Sequence, residues 1–396
     1  MLHNLKSINS IIQNNVKRKI LFLIESMSGG GAEKVLSTTL NNIDPEKFDV
    51  TLCCVVNTGK YIAELPEHVK YKYMLPAPQQ LQGYKKLLYK IKYKLIYQLL
   101  PLVLVYRWFV PQGNDVEIAF VEGYVTKLLS HSINKKAKKI AWVHIDLEQF
   151  HWTQSIYKNI QQEEKTYQQY KQLITVSETA KTGFQRKFGN LSTPIKTVYN
   201  PIDCEEIKEK SQTILSLPYK ETNTIRLVSI GRFTKQKAYT RLLNIINRLK
   251  ALKLPVELWL LGDGEERNIL SAYIKENNLE SIVTLWGFQD NPYAYLINCD
   301  LFVCSSLSEG YSTAVTEALI LGIPVVTTDC SGMHELLGNG KYGVITENNE
   351  EALYTGIKEL IESPTKLAHY KAMAAERSRD FSLEKLMQPI ESLLLE

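Results

Sequence analysis

The sequence predicts two α/β domains, each a doubly wound parallel sheet, facing one another across a cleft. Three observations predict it. Short β-branched runs alternate with amphipathic helical stretches along the chain. The runs are apolar almost throughout, as in strands covered on both faces. The alternation breaks once, between about residues 200 and 222, and then resumes.

In the first half the expected strands are Lys19–Glu25, Asp49–Val56, Val116–Phe120, Lys139–His144, Leu173–Ser177 and Lys196–Tyr199, with helices such as Ala32–Asn41 and Ser177–Phe188 between them. The turn starter Asn200-Pro201-Ile202-Asp203 and the polar run Glu205–Thr224 then mark a linker. Strands resume at Ile225–Ile230, Val256–Leu261, Ile282–Trp286, Leu301–Cys304 and Pro324–Thr327, and the tail Thr365–Glu396 is helical by composition. We therefore expect domains at 1–203 and 204–380, with a C-terminal helix, 381–396, returning to the first.

A chain of 396 residues, 44% hydrophobic and 22% charged, can build two such cores. Its 20 glycines and 14 prolines exclude collagen-like and low-complexity classes. The six cysteines form no CxxC pair and no Cys–His cluster, which fits a reducing compartment without structural zinc. The net charge of +5 hides an asymmetry: residues 1–200 carry 27 Lys+Arg against 15 Asp+Glu, and the remainder is acidic on balance. A basic half suggests a phosphorylated ligand, nucleic acid or a membrane surface. No secretory segment is expected in the first 19 residues. The longest apolar stretch, Leu99–Val110, contains Pro101 and Arg107 and falls short of the roughly 20 residues that span a bilayer. A cytoplasmic chain, soluble or peripheral, is expected.

The first strand runs into Ser28-Gly29-Gly30-Gly31-Ala32-Glu33 and then a helix. Glycines let a ligand approach the backbone, and a helix N-terminus offers unpaired N–H groups. The dinucleotide fingerprint fails because Lys34 stands where its third glycine belongs, and no Gly-Lys-Ser/Thr makes a P-loop. Alone, this loop reads equally as a tight turn.

The second half carries more. Strand Ile225–Ile230 ends in Gly231-Arg232-Phe233-Thr234-Lys235-Gln236-Lys237. Arg232 offers a planar fork and Lys237 a point charge to phosphate oxygens, although an isolated basic pair is more often solvated surface. Further glycine turns follow at Gly262-Asp263-Gly264 and Trp286-Gly287-Phe288. Leu301–Cys304 leads through Ser305–Gly310 and Tyr311 to Ser312 and Thr313, natural helix caps whose free amides, with that of Ala314, suit a phosphate. Glu309, in that loop, can reach a sugar hydroxyl, and Glu317, one helical turn in, a ribose diol.

The segment Glu309–Glu335, EGYSTAVTEALILGIPVVTTDCSGMHE, resembles the signature of retaining family 4 glycosyltransferases of the GT-B fold. The Arg232/Lys237 loop, the Gly262 turn and the Gly30-Gly31-Ala32-Glu33 loop match that family in the same order. The resemblance covers nearly the whole chain and is looser in the first half. It implies two Rossmann-like domains and transfer of a hexose or N-acetylhexosamine from a nucleotide-diphosphate sugar, UDP rather than GDP, to a glycan or lipid-linked acceptor in cell-surface polysaccharide synthesis. Arg232 and Lys237 would grip the diphosphate, Glu317 the ribose, and Glu309 the sugar. Gly310 to Ala314 would lie nearby, Gly287 and Phe288 against the base, and Gly30 and Gly31 would close from the first domain. His144 resembles the family's first-domain histidine near the sugar, a role competing with that of a plain strand-end histidine. Cations and helix amides answering the leaving diphosphate remove the need for a metal or other cofactor. No covalent nucleophile is assigned. The family usually has glycine after the phosphate-loop lysine, where this chain has Ala238. Alanine suits a helical position there, and positive φ would need glycine. Two other readings are a GT-B-type sugar-nucleotide epimerase and a membrane-associated scaffold without catalysis.

Finally, Tyr84–Ile96 combines Lys85, Lys86, Lys90, Lys92 and Lys94 with apolar and tyrosine residues at near-helical spacing, and Asn134–Lys139 adds four lysines. A basic amphipathic helix fits docking on anionic lipid, here the inner face of the cell membrane, as well as it fits a solvated helix packed on the sheet. No motif supports nucleic acid.

Overall fold

The computed structural model describes residues 17–189 and 191–396, so the first 16 residues of the expected first domain lie outside it. Two parallel sheets form. The first holds β1 (Arg18–Ile24), β2 (Phe48–Val56), β3 (Lys70–Leu75), β4 (Val116–Ala119), β5 (Lys138–Val143), β6 (Gln172–Thr175) and β7 (Ile195–Thr197), ordered β3-β2-β1-β4-β5-β6-β7. The second holds β8 (Ile225–Ile230), β9 (Val256–Leu261), β10 (Val283–Gly287), β11 (Leu301–Cys304), β12 (Val325–Thr328) and β13 (Val344–Thr346), ordered β10-β9-β8-β11-β12-β13. Strand order reverses between β1 and β4 and between β8 and β11. The loops leaving these strands therefore open the crevices in which such sheets bind ligands.

The apolar runs are explained by burial on both faces. Along β1, Ile20, Phe22 and Ile24 enter one core, whereas Leu21 and Leu23 enter the other. β8 and β9 are shared in the same way: Leu227 faces one core and Val228 the next. The helix Leu383–Leu395 sends Met387, Ile390, Leu393 and Leu394 into the first sheet's core, so the end of the chain crosses back to its beginning. Each of these buried side chains contributes about 1.5–3 kcal/mol of apolar burial. All six cysteines are buried and unpaired.

Two strands escape the sequence reading. β3 reads KYKYML, with its first four residues mostly exposed, and β13 is only VIT, so neither shows the continuous apolar run of a strand covered on both faces. The helical tail is interrupted by a 3-10 turn at Ser378–Asp380. One expectation needs correction. The helix after the Arg232 loop starts at Tyr239, and Ala238 sits at φ +50°, ψ +43°, in the left-handed region. Alanine there is strained by about 1–2 kcal/mol, because the turn ending the 3-10 segment Lys235–Lys237 needs the conformation glycine adopts freely.

Candidate active site between the two sheets

On the second-sheet side, the loop after β8 is held by close backbone approaches. A Cβ on Gly262 (φ +143°) would lie 1.9 Å from the Gly231 carbonyl oxygen, and one on Gly231 would lie 3.2 Å from Lys237 Cε. The Gly262 turn thus fixes the Gly231 loop. Lys237 Nζ donates to Glu309 Oε1 at 2.6 Å, the same oxygen accepts Ser306 Oγ–H at 2.5 Å, and Ser305 Oγ donates to the Lys237 carbonyl at 2.8 Å. Burial is the largest influence on the Lys237 ammonium and works against it, but the facing Glu309 carboxylate, together with Cys304 and Tyr239, outweighs it and holds the lysine above its ordinary pKa. Two loops that follow different strands are locked into one charged unit.

The helix Thr313–Ile320 opens beside it. Ser312 is its N-cap, accepting the Val315 N–H at 3.4 Å. The Thr313 and Ala314 amides have no protein acceptor among the described residues, as expected for first-turn donors. Glu317, buried in this helix, pairs across the cleft with Lys34, which also donates to the Tyr293 hydroxyl and lies 4.6 Å above that ring.

The first-sheet side meets this surface directly. A Cβ on Gly29 (φ +100°) would lie 3.3 Å from the Phe288 ring, on Gly30 2.8 Å from the Arg232 guanidinium, and on Gly31 3.3 Å from Thr313 Oγ1. Glu33 stands 3.7 Å from Arg232, and burial raises its pKa despite that cation. Consecutive residues Glu33 and Lys34 therefore reach, with opposite charge, the arginine and the glutamate singled out on the other side. Lys60 pairs with Asp290 at 3.7 Å and lies 4.8 Å over Phe288.

His144 follows β5. Its ring packs on Phe120 (centroids 4.8 Å) and Trp142 (6.2 Å), Nε2 has no partner among the described residues, and burial pushes its pKa down to about 3. It is a neutral imidazole. Its carbonyl abuts Gly310: a Cβ there would lie 2.1 Å away. Gly310 also accepts the Ser177 hydroxyl at 2.8 Å, and Tyr311 packs its ring 5.3 Å from that of Tyr199. Glu335 caps the first-domain helix Glu178–Phe188, accepting the Glu178 and Thr179 amides at 3.0 Å each. Gly310 and Tyr311 thus belong to the seam between the sheets.

Of the expected residues, Gly30, Gly31, Arg232, Lys237, Glu309, Ser312, Thr313, Ala314 and Glu317 converge on one cleft, with Phe288 at its edge and Gly287 (φ +70°) turning the chain before it. Lys85, Lys86, Lys90, Lys92 and Lys94 lie elsewhere, on the helix Gly83–Lys94, which has no buried residue and exposes Leu87, Leu88 and Ile91 beside them. The lysines of 134–139 sit at the amino end of β5, where Lys138 donates to the Leu393 carbonyl of the C-terminal helix at 3.1 Å. Sequence reasoning missed Lys34, Tyr293 and Ser306, whose roles arise from partners far away in the chain or from one serine among many. Among the described residues no helix is long and apolar enough to cross a membrane.

Residues 214–377 match the family described as glycosyl transferases group 1. The chain is 28% identical over 388 residues to the Campylobacter jejuni N-acetylgalactosamine-N,N'-diacetylbacillosaminyl-diphospho-undecaprenol 4-alpha-N-acetylgalactosaminyltransferase, covering 96% of this chain and 100% of that protein. It is 28% identical over 172 residues to the Rhizobium meliloti lipopolysaccharide core biosynthesis glycosyltransferase LpsE, covering 42% and 49%. Its fold matches the crystal structure of Anabaena HepE in complex with UDP and glucose, with TM-score 0.73, 21% identity and coverage of 96% and 100%. The second half of the chain thus matches the group 1 glycosyltransferases, and the paired parallel sheets with a charged cleft between them have the GT-B fold.

Proposed function

We propose that this glycosyltransferase moves a hexose or N-acetylhexosamine from a UDP-sugar to a polyprenyl-diphosphate-linked glycan at an anionic membrane surface, with retention at the anomeric carbon. The observation that carries the donor reading is the Lys237–Glu309 pair at 2.6 Å, its carboxylate buried and its lysine half-buried, beside the Thr313 and Ala314 amides and facing Arg232 and the glycine loop. The Anabaena structure with UDP and glucose and the undecaprenol-linked acceptor named for the Campylobacter relative support the choice of donor and acceptor.

In this reading the acceptor hydroxyl attacks the anomeric carbon on the face from which the diphosphate departs. The C–O bond to the diphosphate breaks, and a diphosphate oxygen takes the hydroxyl proton. Arg232, Lys237 and the two amides stabilise the charge that develops on that group, the task a metal ion performs elsewhere. Glu309 positions Lys237 through Oε1 and leaves Oε2 for a sugar hydroxyl. Glu317 takes the ribose diol, and for that Lys34 must let go. His144, a neutral imidazole whose Nε2 is covered from solvent, reaches the sugar only when its ring turns. The basic helix with exposed leucines docks on lipid.

The experiment is transfer from a panel of UDP- and GDP-sugars to a farnesyl-diphosphate-linked N-acetylhexosamine. An α-linked product from a UDP-sugar is expected. Exclusive use of GDP-sugars, or turnover of UDP-sugar without acceptor as in an epimerase, overturns the reading. Flotation with phosphatidylglycerol vesicles tests the membrane part: glutamine at positions 85, 86, 90 and 92 is expected to abolish it, and equal flotation removes that part.

A further inference from the structure

The first-domain side of the cleft contains an aromatic residue that the donor chemistry leaves unused. Trp152 opens a 3-10 turn, Trp152–Ser155, in the segment leading away from His144, and remains 40% exposed although its position is fixed at both ends of the indole. Its Nε1–H donates to Glu122 Oε1 at 3.0 Å, and the other oxygen of that buried carboxylate accepts the His144 backbone N–H at 3.0 Å. The six-membered edge rests on the backbone at Gly123 (φ +95°), where a Cβ would lie 2.8 Å from Cη2. One carboxylate therefore ties the indole to the histidine whose carbonyl touches Gly310 across the seam.

A buried carboxylate spent on orienting an exposed indole is unusual for a residue without a ligand. Burial raises the Glu122 pKa, and its hydrogen bonds come from two neutral N–H groups rather than from a cation. The neighbourhood gives the direction of the ligand. Tyr124, next to Gly123, packs its ring 4.4 Å from Tyr97, which belongs to the segment continuing the basic helix Gly83–Lys94. Contacts thus run from His144 through Glu122 and Trp152 to Gly123, whose neighbour Tyr124 meets Tyr97 beside the exposed lysine–leucine helix. A lipid-linked glycan runs in that order: reacting sugar, further sugars, diphosphate, lipid.

We propose that Trp152 is a stacking platform for a pyranose ring of the acceptor, with Glu122 as the residue that positions it. This rests on the lipid-linked acceptor reading above. An indole presents a flat apolar face with a polar N–H at one edge, suited to the C–H face of a sugar.

The test uses the full chain with the farnesyl-diphosphate-linked N-acetylhexosamine as the acceptor probe. Trp152→Ala is expected to raise acceptor KM at least about tenfold, equivalent to 1.4 kcal/mol, with UDP affinity by calorimetry unchanged. Trp152→Phe, which keeps a ring, is expected to lie between. Glu122→Gln is expected to raise KM less than the alanine variant does. Unchanged acceptor KM in Trp152→Ala overturns the platform, as does equal loss of UDP affinity, which would signal a structural role. If the wild type transfers nothing from UDP-sugars, the functional reading fails, and the platform is judged separately. Saturation-transfer NMR with free N-acetylhexosamine disaccharides should then show contact in the wild type and none in Trp152→Ala. No wild-type contact, or the same contact in both, overturns it.

Discussion

The two walls of the cleft hold their charged groups differently. On the second-sheet wall, the cation of the half-buried Lys237 and the carboxylate of the buried Glu309 pair within one domain at 2.6 Å. On the first-sheet wall, apart from Glu33, Lys34 and Lys60, which pair with charges of the other side, the half-buried Glu25 and the buried Glu122 are held by neutral donors: the Tyr97 hydroxyl for the first, the Trp152 N–H and the His144 amide for the second. Burial raises both carboxyl pKa values. The difference matches the chemistry assigned to each wall. A departing diphosphate needs fixed positive charge that does not reorganise. An uncharged sugar needs oriented rings and hydrogen-bonding edges, which neutral donors fix without adding a field that competes with the donor site.

Breaking the charged wall should cost most. Lys237→Ala leaves Glu309 buried without its cation and removes the main positive charge facing the diphosphate. A loss of about 10²–10³-fold in kcat is expected, with weaker UDP binding, measurable by UDP-sugar turnover and calorimetry. Activity within a few-fold of wild type would dissolve the contrast between the walls.

The neutral wall should show itself in pH dependence. The His144 pKa lies near 3 in the folded chain against about 6.5 unfolded. Between those values the unfolded chain binds the additional proton, so stability falls as pH drops from 6.5 toward 3, by at most about 1.4 kcal/mol per pH unit. His144→Phe, which suits the Phe120–Trp142 packing, should flatten this slope relative to wild type in urea titrations at pH 7 and pH 5. Equal slopes would show that the imidazole is hydrated and ionisable.

The smallest effect sharpens the geometry of the charged wall. Ala238→Gly relieves the left-handed strain next to Lys237. After the entropy glycine loses on folding, a gain of about 1 kcal/mol is expected, read as a rise in the second domain's Tm. A fall would mean that the alanine Cβ supports the loop.

Much of this was legible because interior strands and contiguous loops write their constraints into neighbouring residues. β8, β9 and β11 begin and end where the apolar runs predict, since each is covered on both faces. The second-sheet wall was legible for a related reason: Gly231–Lys237 and Glu309–Glu317 are each short enough for one turn and one helix start to place their groups together. β3 and β13 were not legible, because the exposed, lysine-rich KYKYML and the three-residue VIT give no sustained apolar run, whereas the other edge strands, β7 and β10, were expected. Ala238 was half legible: the departure from glycine was visible, but only its dihedral angles decided that it is strained.

By itself, then, the sequence determined two parallel sheets and the loops that carry Arg232, Lys237, Glu309 and Glu317 at the ends of their strands. These follow from the periodicity of burial and the local geometry of turns, both short-range properties. Tertiary structure alone decided that Lys34 meets Glu317, that Glu335 caps a helix of the other domain, and that Glu122 joins Trp152 to His144. Those pairs are separated by many residues or by a domain boundary. Their energies depend on which side chains are brought together out of water, a choice made by the packing of the two sheets.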